Sequence, residues 1–259
     1  MSDPSNEKPK IEETRDGSHT LYSPQFDQHY HNPNGAVAES KHVFFEQSGL
    51  LGALTNRDHI TILEIGFGTG LNFLLLMDYW QELDTEVRID YYSIEAFPID
   101  TETAQNLNFE QHLNHPNLAK HLPKIFANLS DGMNQVSFAD SINLHLFKGL
   151  FEDFNPEKIQ TDYIFQDAFS PDVNPELWTG KTFKKLASLS RKNVILSTYC
   201  AASKVQGAMA SAGWHVAKTQ GALGKREMIV ASLSEEPLSD FKRINKKRYA
   251  RRYEEGDFD

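Results

Sequence analysis

The run Ile62-Leu63-Glu64-Ile65 leads straight into Gly66-Phe67-Gly68-Thr69-Gly70-Leu71-Asn72, and this junction is where the chain first offers chemistry. Glycines let the backbone turn sharply and let a ligand approach without meeting a Cβ. A helix begun by the next residues presents free N–H groups to that ligand. The spacing restricts what the ligand is. A dinucleotide fingerprint, G-x-G-x-x-G, needs glycine where this chain has Leu71, and there is no Lys-Ser/Thr pair of the kind a triphosphate loop uses. Glu64, Gly66, Gly68, Gly70 and Asn72 are the candidate contacts here.

Two acids follow at suitable places. Glu95 ends the next β-like run, 25 residues beyond Gly70, where a carboxylate can accept hydrogen bonds from both hydroxyls of a ribose. Asp167 opens the turn Asp167-Ala168-Phe169-Ser170-Pro171 after a later apolar run. In an open α/β sheet ligands sit beyond the carboxyl ends of the strands, so Asp167 is placed to face both a cofactor and an acceptor, and otherwise to cap a turn. Phe169 is a candidate stacking wall for a base or adenine, with a core role as the alternative. Cys200 reads as a small buried residue, not a nucleophile. His29 and His31 flank Tyr30 without further acidic or cysteine neighbours, so no metal is expected.

The elements that must position these groups alternate in the manner of a parallel sheet with crossover helices. Strands are predicted at Ile60–Gly66, Arg88–Glu95, Ile142–Phe147, Tyr163–Phe169 and Val194–Tyr199, with helices at Leu71–Gln81, from Pro98 to Asn106, Glu176–Ser190 and Ser203–Ala212. Trp214–Thr219 and Glu227–Leu233 read as an antiparallel hairpin, completing a mostly parallel seven-stranded α/β sheet of Rossmann-like type. The segment 111–139 is expected to hold extra helices and a surface loop. One domain is predicted over 16–235, with an N-terminal extension at 16–58, a flexible tail at 1–15 and a charged tail at 236–259.

The 259 residues carry 36 acids against 26 bases, a formal charge of −10, with ordinary apolar content and one cysteine. Such a chain buries a sizeable core and holds no internal disulfide. No apolar run reaches the roughly 18 residues that span a bilayer, and the polar start lacks a signal core, so a cytoplasmic protein without membrane contact is expected. Charge is uneven: seven Lys and Arg lie between Lys242 and Arg252 without an acid. That run reads as a solvated terminus or as a phosphate-contacting arm.

The G-x-G-x-G spacing after an acidic residue resembles motif I of class I S-adenosylmethionine-dependent methyltransferases. The wider set is more specific. Glu64–Phe73, Glu95-Ala96-Phe97-Pro98, Asp167–Pro171 with Asn174-Pro175-Glu176-Leu177-Trp178, Leu196–Tyr199 and Gly224-Lys225-Arg226-Glu227-Met228 resemble the methyltransferase module of the bacterial enzymes that make 5-methylaminomethyl-2-thiouridine at the tRNA wobble position (the MnmC/MnmD family). The upstream stretch Asp27 to Phe45, with Gly35-Ala36-Val37-Ala38-Glu39-Ser40, is similar to that family's N-terminal region. The resemblance covers about 16–232. It departs at Ala168, where relatives often carry glycine, and after the third strand, where Lys148-Gly149-Leu150 stands in place of the acid that usually meets adenine.

The resemblance implies S-adenosylmethionine as cofactor, tRNA as partner, and methylation of the amine of 5-aminomethyl-(2-thio)uridine. The aminomethyl group would be supplied by other wobble-uridine-modifying enzymes, and the chain is too short for the oxidase module of two-domain relatives. It also implies roles for Asp167 in catalysis, for Glu64, Gly66, Gly68, Gly70, Asn72, Glu95 and Asp167 around the cofactor, and for Tyr30, Phe169, Lys225 and Arg226 around the substrate. A small-molecule amine methyltransferase and a non-catalytic binding subunit are the alternatives.

Overall fold

The computed structural model describes residues 7–138 and 140–258. Its centre is a nine-stranded sheet. Five strands run parallel in the middle: β9 (Ser190–Thr198), β8 (Thr161–Gln166), β4 (His59–Ile65), β5 (Arg88–Glu95) and β7 (Ile142–Lys148), in that spatial order. The seven expected strands are present. The C-terminal hairpin of β10 (His215–Gln220) and β11 (Glu227–Ser232) joins through β11, antiparallel to β9. Two further strands lie at the edges: β6 (Gly132–Phe138), antiparallel to β7, and the short β12 (Lys242–Arg243), paired with β10.

The central strands are buried on both faces, which is why β4 and β8 read as near-continuous apolar runs. One core cluster gathers around α3 (Leu71–Glu82), the other around α6 (Gly180–Ser188) and α7 (Ser203–Ser211). Residues 71–77 of α3 are buried all round. A helix apolar on every side must be covered on its outer side too. The N-terminal extension provides that cover, with Phe45 against Tyr79 at a ring separation of 5.1 Å.

The extension begins as a three-stranded antiparallel sheet, β1 (Lys10–Glu13), β2 (His19–Ser23) and β3 (Gln28–His29). Residues 10–13 of the stretch read as a flexible tail are therefore paired strand, while 1–6 lie outside the described residues. Then come α1 (Ala36–Ser40), a wider helical turn over Lys41–Glu46, and α2 (Leu50–Asn56). This segment reaches the carboxyl ends of the parallel strands: the Gln28 side-chain carbonyl accepts from the Ser170 hydroxyl at 2.8 Å, and Phe26 meets Phe169 at 5.1 Å.

Other boundaries differ for local reasons. α4 (Thr101–Gln105) starts after Asp100, whose side chain accepts from the Thr103 N–H at 2.7 Å, so Pro98 belongs to the loop. The stretch 175–190 is not one helix: Thr179 is extended and caps the Thr182 N–H, so a single turn at Pro175–Trp178 precedes α6. Segment 111–139 contains α5 (His121–Ala127) as well as β6. Residues 242–254, read from the sequence as a charged tail, form β12 and α8 (Lys246–Glu254), which packs on α7.

Candidate functional site

The glycine turn leaves β4 at its carboxyl end with Gly66 at φ +94°, Gly68 at +54° and Gly70 at +78°. All three lie where a side chain is disfavoured, for different spatial reasons. A Cβ on Gly66 would stand 2.9 Å from the Asp167 carbonyl oxygen. One on Gly68 would press on the Tyr30 ring at 3.3 Å, and one on Gly70 would strike Leu122 at 2.6 Å. Gly66 and Gly68 line a cavity of about 570 Å3, whereas Gly70 faces packed side chains instead.

That cavity opens at the carboxyl ends of β4, β5, β7 and β8. Asn72, Glu95, Asp167, Tyr30 and Phe169 all contribute to its wall. Glu95 is fixed by the backbone: the Gly68 N–H donates to one carboxyl oxygen at 2.7 Å and the Phe97 N–H to the other at 2.8 Å. Burial pushes its carboxyl up, against those two hydrogen bonds. Beside it, Phe97 and Leu150 are half exposed at the rim. Gly149, Leu150 and Glu152, from the loop where the sequence leaves the adenine contact open, are also part of the wall. The Lys185 ammonium steadies that loop through the carbonyls of Phe151 at 2.8 Å and Glu152 at 3.0 Å.

Behind the glycine turn lies a buried acid, linked to one in front of it. Glu64 is 1% exposed, accepting from the Ser93 hydroxyl at 2.7 Å and the Asn72 amide at 2.9 Å. Desolvation raises its carboxyl to about 7 despite those bonds. The same Asn72 nitrogen reaches Asp167 at 2.9 Å. Burial, then the nearby charges of Glu64 and Glu39, hold the Asp167 carboxyl well above the usual range. The site therefore concentrates carboxyl groups that are hard to ionise without a cation. Glu64 itself sits behind the cavity wall.

A second cavity, about 390 Å3, adjoins the first, and Tyr30, His31, Asp167, Ala168 and Phe169 border both. Tyr30 and Phe169 meet edge to face at 5.1 Å between them. The far wall carries Glu39, Tyr199 and Lys225. Lys225 is 2.8 Å from Glu39 and stands over the Tyr199 ring at 5.1 Å, while the Tyr199 hydroxyl donates to the Ala168 carbonyl at 2.8 Å. Lys225 thus faces inward. Arg226 lines neither cavity and is exposed. His31, half-buried between Thr20 at 3.1 Å and Thr69 at 3.4 Å, is held neutral by desolvation, its pKa lowered to about 4.

Glu39 and Tyr199 are among the wall residues that sequence reasoning did not single out. The one signal for Glu39 was its place in the Gly35–Ser40 stretch. Among the described residues no three His, Cys, Asp or Glu side chains gather as a metal site, and no helix is long and apolar enough to cross a membrane.

Residues 114–234 match a family described as S-adenosyl-L-methionine-dependent methyltransferase. The tRNA 5-methylaminomethyl-2-thiouridine biosynthesis bifunctional protein MnmC of Cupriavidus metallidurans is 35% identical over 217 residues, 82% of this chain and 32% of that protein. Its namesake from Leptospira interrogans is 33% identical over 222 residues, 83% of this chain and 34% of the relative. The chain thus spans about a third of the length of these relatives. In three dimensions, the crystal structure of MnmC2 from Aquifex aeolicus superposes with a TM-score of 0.73 at 24% identity, covering 96% of this chain and 76% of that one, a likeness of fold.

Proposed function

We propose, because this chain belongs to the S-adenosyl-L-methionine-dependent methyltransferases, that it methylates the primary amine of 5-aminomethyl-(2-thio)uridine at the wobble position of tRNA, giving 5-methylaminomethyl-(2-thio)uridine. The observation that carries this reading is Asp167, whose side chain borders both cavities and so lies between a cofactor-sized space and an acceptor-sized one.

The first cavity fits the cofactor chemically. S-adenosylmethionine brings a sulfonium and an ammonium, and Glu64, Glu95 and Asp167 are carboxyl groups raised by desolvation, whose ionisation a cation would favour. Glu95, clamped from two backbone N–H groups, retains oxygen lone pairs for ribose hydroxyls. Phe97 and Leu150 at the rim offer apolar surface to a flat base. When bound, the cofactor supplies an activated methyl group, so positioning carries most of the protein's share of catalysis.

The acceptor amine is mostly protonated near neutral pH and has no lone pair in that form. Asp167 is the group proposed to orient the amine and receive its proton. Tyr30 and Phe169, perpendicular to each other, give an unstacked base one face and one edge. Arg226 supplies an exposed cation for an anticodon phosphate, and Lys225 a second once released from Glu39. With tRNA as acceptor the reaction belongs in the cytoplasm, after the enzymes that install the aminomethyl group.

The test is transfer of labelled methyl from S-adenosylmethionine to bulk tRNA from cells lacking the terminal wobble methylation, read by nucleoside mass spectrometry. Label in 5-methylaminomethyluridine, thiolated or not, is the expected outcome. An unlabelled tRNA pool from protein that binds the cofactor would move the acceptor to a small-molecule amine.

A further inference from the structure

The second cavity already contains a primary ammonium, that of Lys225. Its nitrogen lies 2.8 Å from Glu39 Oε1 and 5.1 Å from the centre of the Tyr199 ring, a carboxylate and an aromatic face together. Both partners are firmly held. Glu39 has a side chain only 11% exposed, fixed on its other contacts by the Asn32 backbone N–H at 3.1 Å and the Asn32 amide at 3.2 Å. Tyr199 is anchored through the Ala168 carbonyl. The lysine is the exposed member, with 42% of its side chain open to solvent on the loop before β11.

A half-exposed lysine on a loop adds little by pairing, because much of its Coulomb gain is returned as solvation and chain entropy. A rigid carboxylate beside an aromatic ring, at the wall of a cavity bordered by Asp167, is in contrast a complete receptor for an alkylammonium. We propose that Glu39 is a substrate-positioning residue that recognises the protonated aminomethyl group of the acceptor, with Lys225 as a placeholder that the incoming ammonium displaces. This rests on the acceptor proposed above. Glu39 holds the acceptor as the ammonium arrives, and Asp167 faces it from the cofactor side. Lys225, once displaced, is free to turn toward a phosphate of the same RNA.

The arrangement also sets specificity. A uridine whose 5-substituent carries a carboxylate besides its amine, such as a carboxymethylaminomethyl group, would set that negative charge between Glu39 and Asp167. It is excluded by like-charge repulsion, so the site selects acceptors of net positive side-chain charge.

The experiment uses the full chain and an anticodon stem-loop RNA carrying 5-aminomethyluridine or 5-carboxymethylaminomethyluridine at the wobble position. For Glu39→Gln the KM for the aminomethyl RNA rises by about tenfold or more, the loss expected for one charged hydrogen bond. Its dissociation constant for S-adenosylmethionine stays near the parent value, and its preference over the carboxylate-bearing RNA narrows. An unchanged KM on RNA that the parent methylates overturns the role of Glu39. A parent protein that leaves this RNA unmethylated overturns the acceptor reading, and the inference with it. Lys225→Met supplies an independent measurement with the free nucleoside 5-aminomethyluridine, which has no phosphate. It binds more tightly once the placeholder is gone; equal or weaker binding overturns the displacement.

Discussion

A single amide nitrogen of Asn72 donates to Glu64 and to Asp167, at 2.9 Å in each case, and so ties the carboxyl behind the glycine turn to the one in front. This fixes the amide orientation, since the reverse would set its oxygen between two carboxyl groups. Asn72→Asp preserves the shape and removes both donors. The expected loss of stability is about 2–4 kcal/mol at pH 8, from two charged hydrogen bonds replaced by repulsion. At pH 5.5 the loss shrinks, because protonated carboxyls donate for themselves. Denaturant titrations at the two pH values check this, and equal losses would refute the electrostatic account.

Glu64 makes the protein without cofactor less stable as pH rises. Its carboxyl goes from 4.5 in the open chain to about 7 in the fold. Between those values the folded state binds more protons than the unfolded one, so stability falls with rising pH and the penalty is complete above about 7. The difference corresponds to about 3 kcal/mol. Glu64→Gln reduces this slope between pH 5 and 8, leaving the share that Glu95 and Asp167 add through their own raised carboxyls, and saturating S-adenosylmethionine, which brings a cation toward the carboxyls, flattens it in the parent. Thermal unfolding across that range, with and without cofactor, is the measurement. A slope that persists unchanged in the variant would place its origin elsewhere.

What the sequence revealed was local in character. Gly66 and Gly68 were visible because a strand ending in glycines has few other uses, and Glu95 and Asp167 because they end strands of the same sheet. Contacts formed by distant segments were hidden. Lys225 meets Glu39 across 186 residues, so nothing near either one marks the pair. Strand β6 was missed because its pattern is scrambled: inward Asn134 binds the carbonyls of Ser130 and Leu146, while Met133 points outward. The basic run concealed a helix because most of its charges face solvent and its packing depends on two tyrosines, Tyr249 and Tyr253, four residues apart.

Asp167→Asn separates activity from stability. The amide has nearly the same size but is a poor proton acceptor, so kcat should fall by about a hundredfold or more. The acid it replaces is held in an unfavourable state by burial and by Glu64 and Glu39, so thermal stability at pH 8 should rise or stay level. Paired measurements of kcat and Tm decide this. A variant that keeps its turnover would remove Asp167 from the proposed proton transfer.

Gly66 and Gly49 have similar positive φ, +94° and +74°, in different surroundings. Around Gly49 a Cβ meets nothing within 4 Å, whereas on Gly66 it meets the Asp167 carbonyl at 2.9 Å. Gly49→Ala should therefore cost only the backbone strain, about 1–2 kcal/mol. Gly66→Ala adds a backbone clash between the ends of β4 and β8, for a total of about 2–4 kcal/mol, and also weakens cofactor binding. Unfolding and cofactor titration of the two variants would refute this reading if they lost equal stability.

Deleting residues 245–259 tests whether the basic C-terminus is an appendage or a structural element. Tyr249, Tyr253 and Phe258 surround Gly207 of α7 so closely that a Cβ there would stand 2.7 Å from Phe258. The Tyr253 hydroxyl also accepts from the Gly180 N–H at 3.1 Å, at the start of α6. That helix contributes Lys181, Thr182 and Lys185 to the wall of the larger cavity. Removal of α8 should lower stability by about 2–4 kcal/mol, from the aromatic surface returned to water and the lost bond. Cofactor affinity should fall with it, because the start of α6 loses its support. Lys247→Glu and Arg248→Glu, on the exposed side, should leave stability within about 0.5 kcal/mol of the parent. A deletion as stable as the parent, with unaltered cofactor binding, would return this segment to the status of a solvated tail.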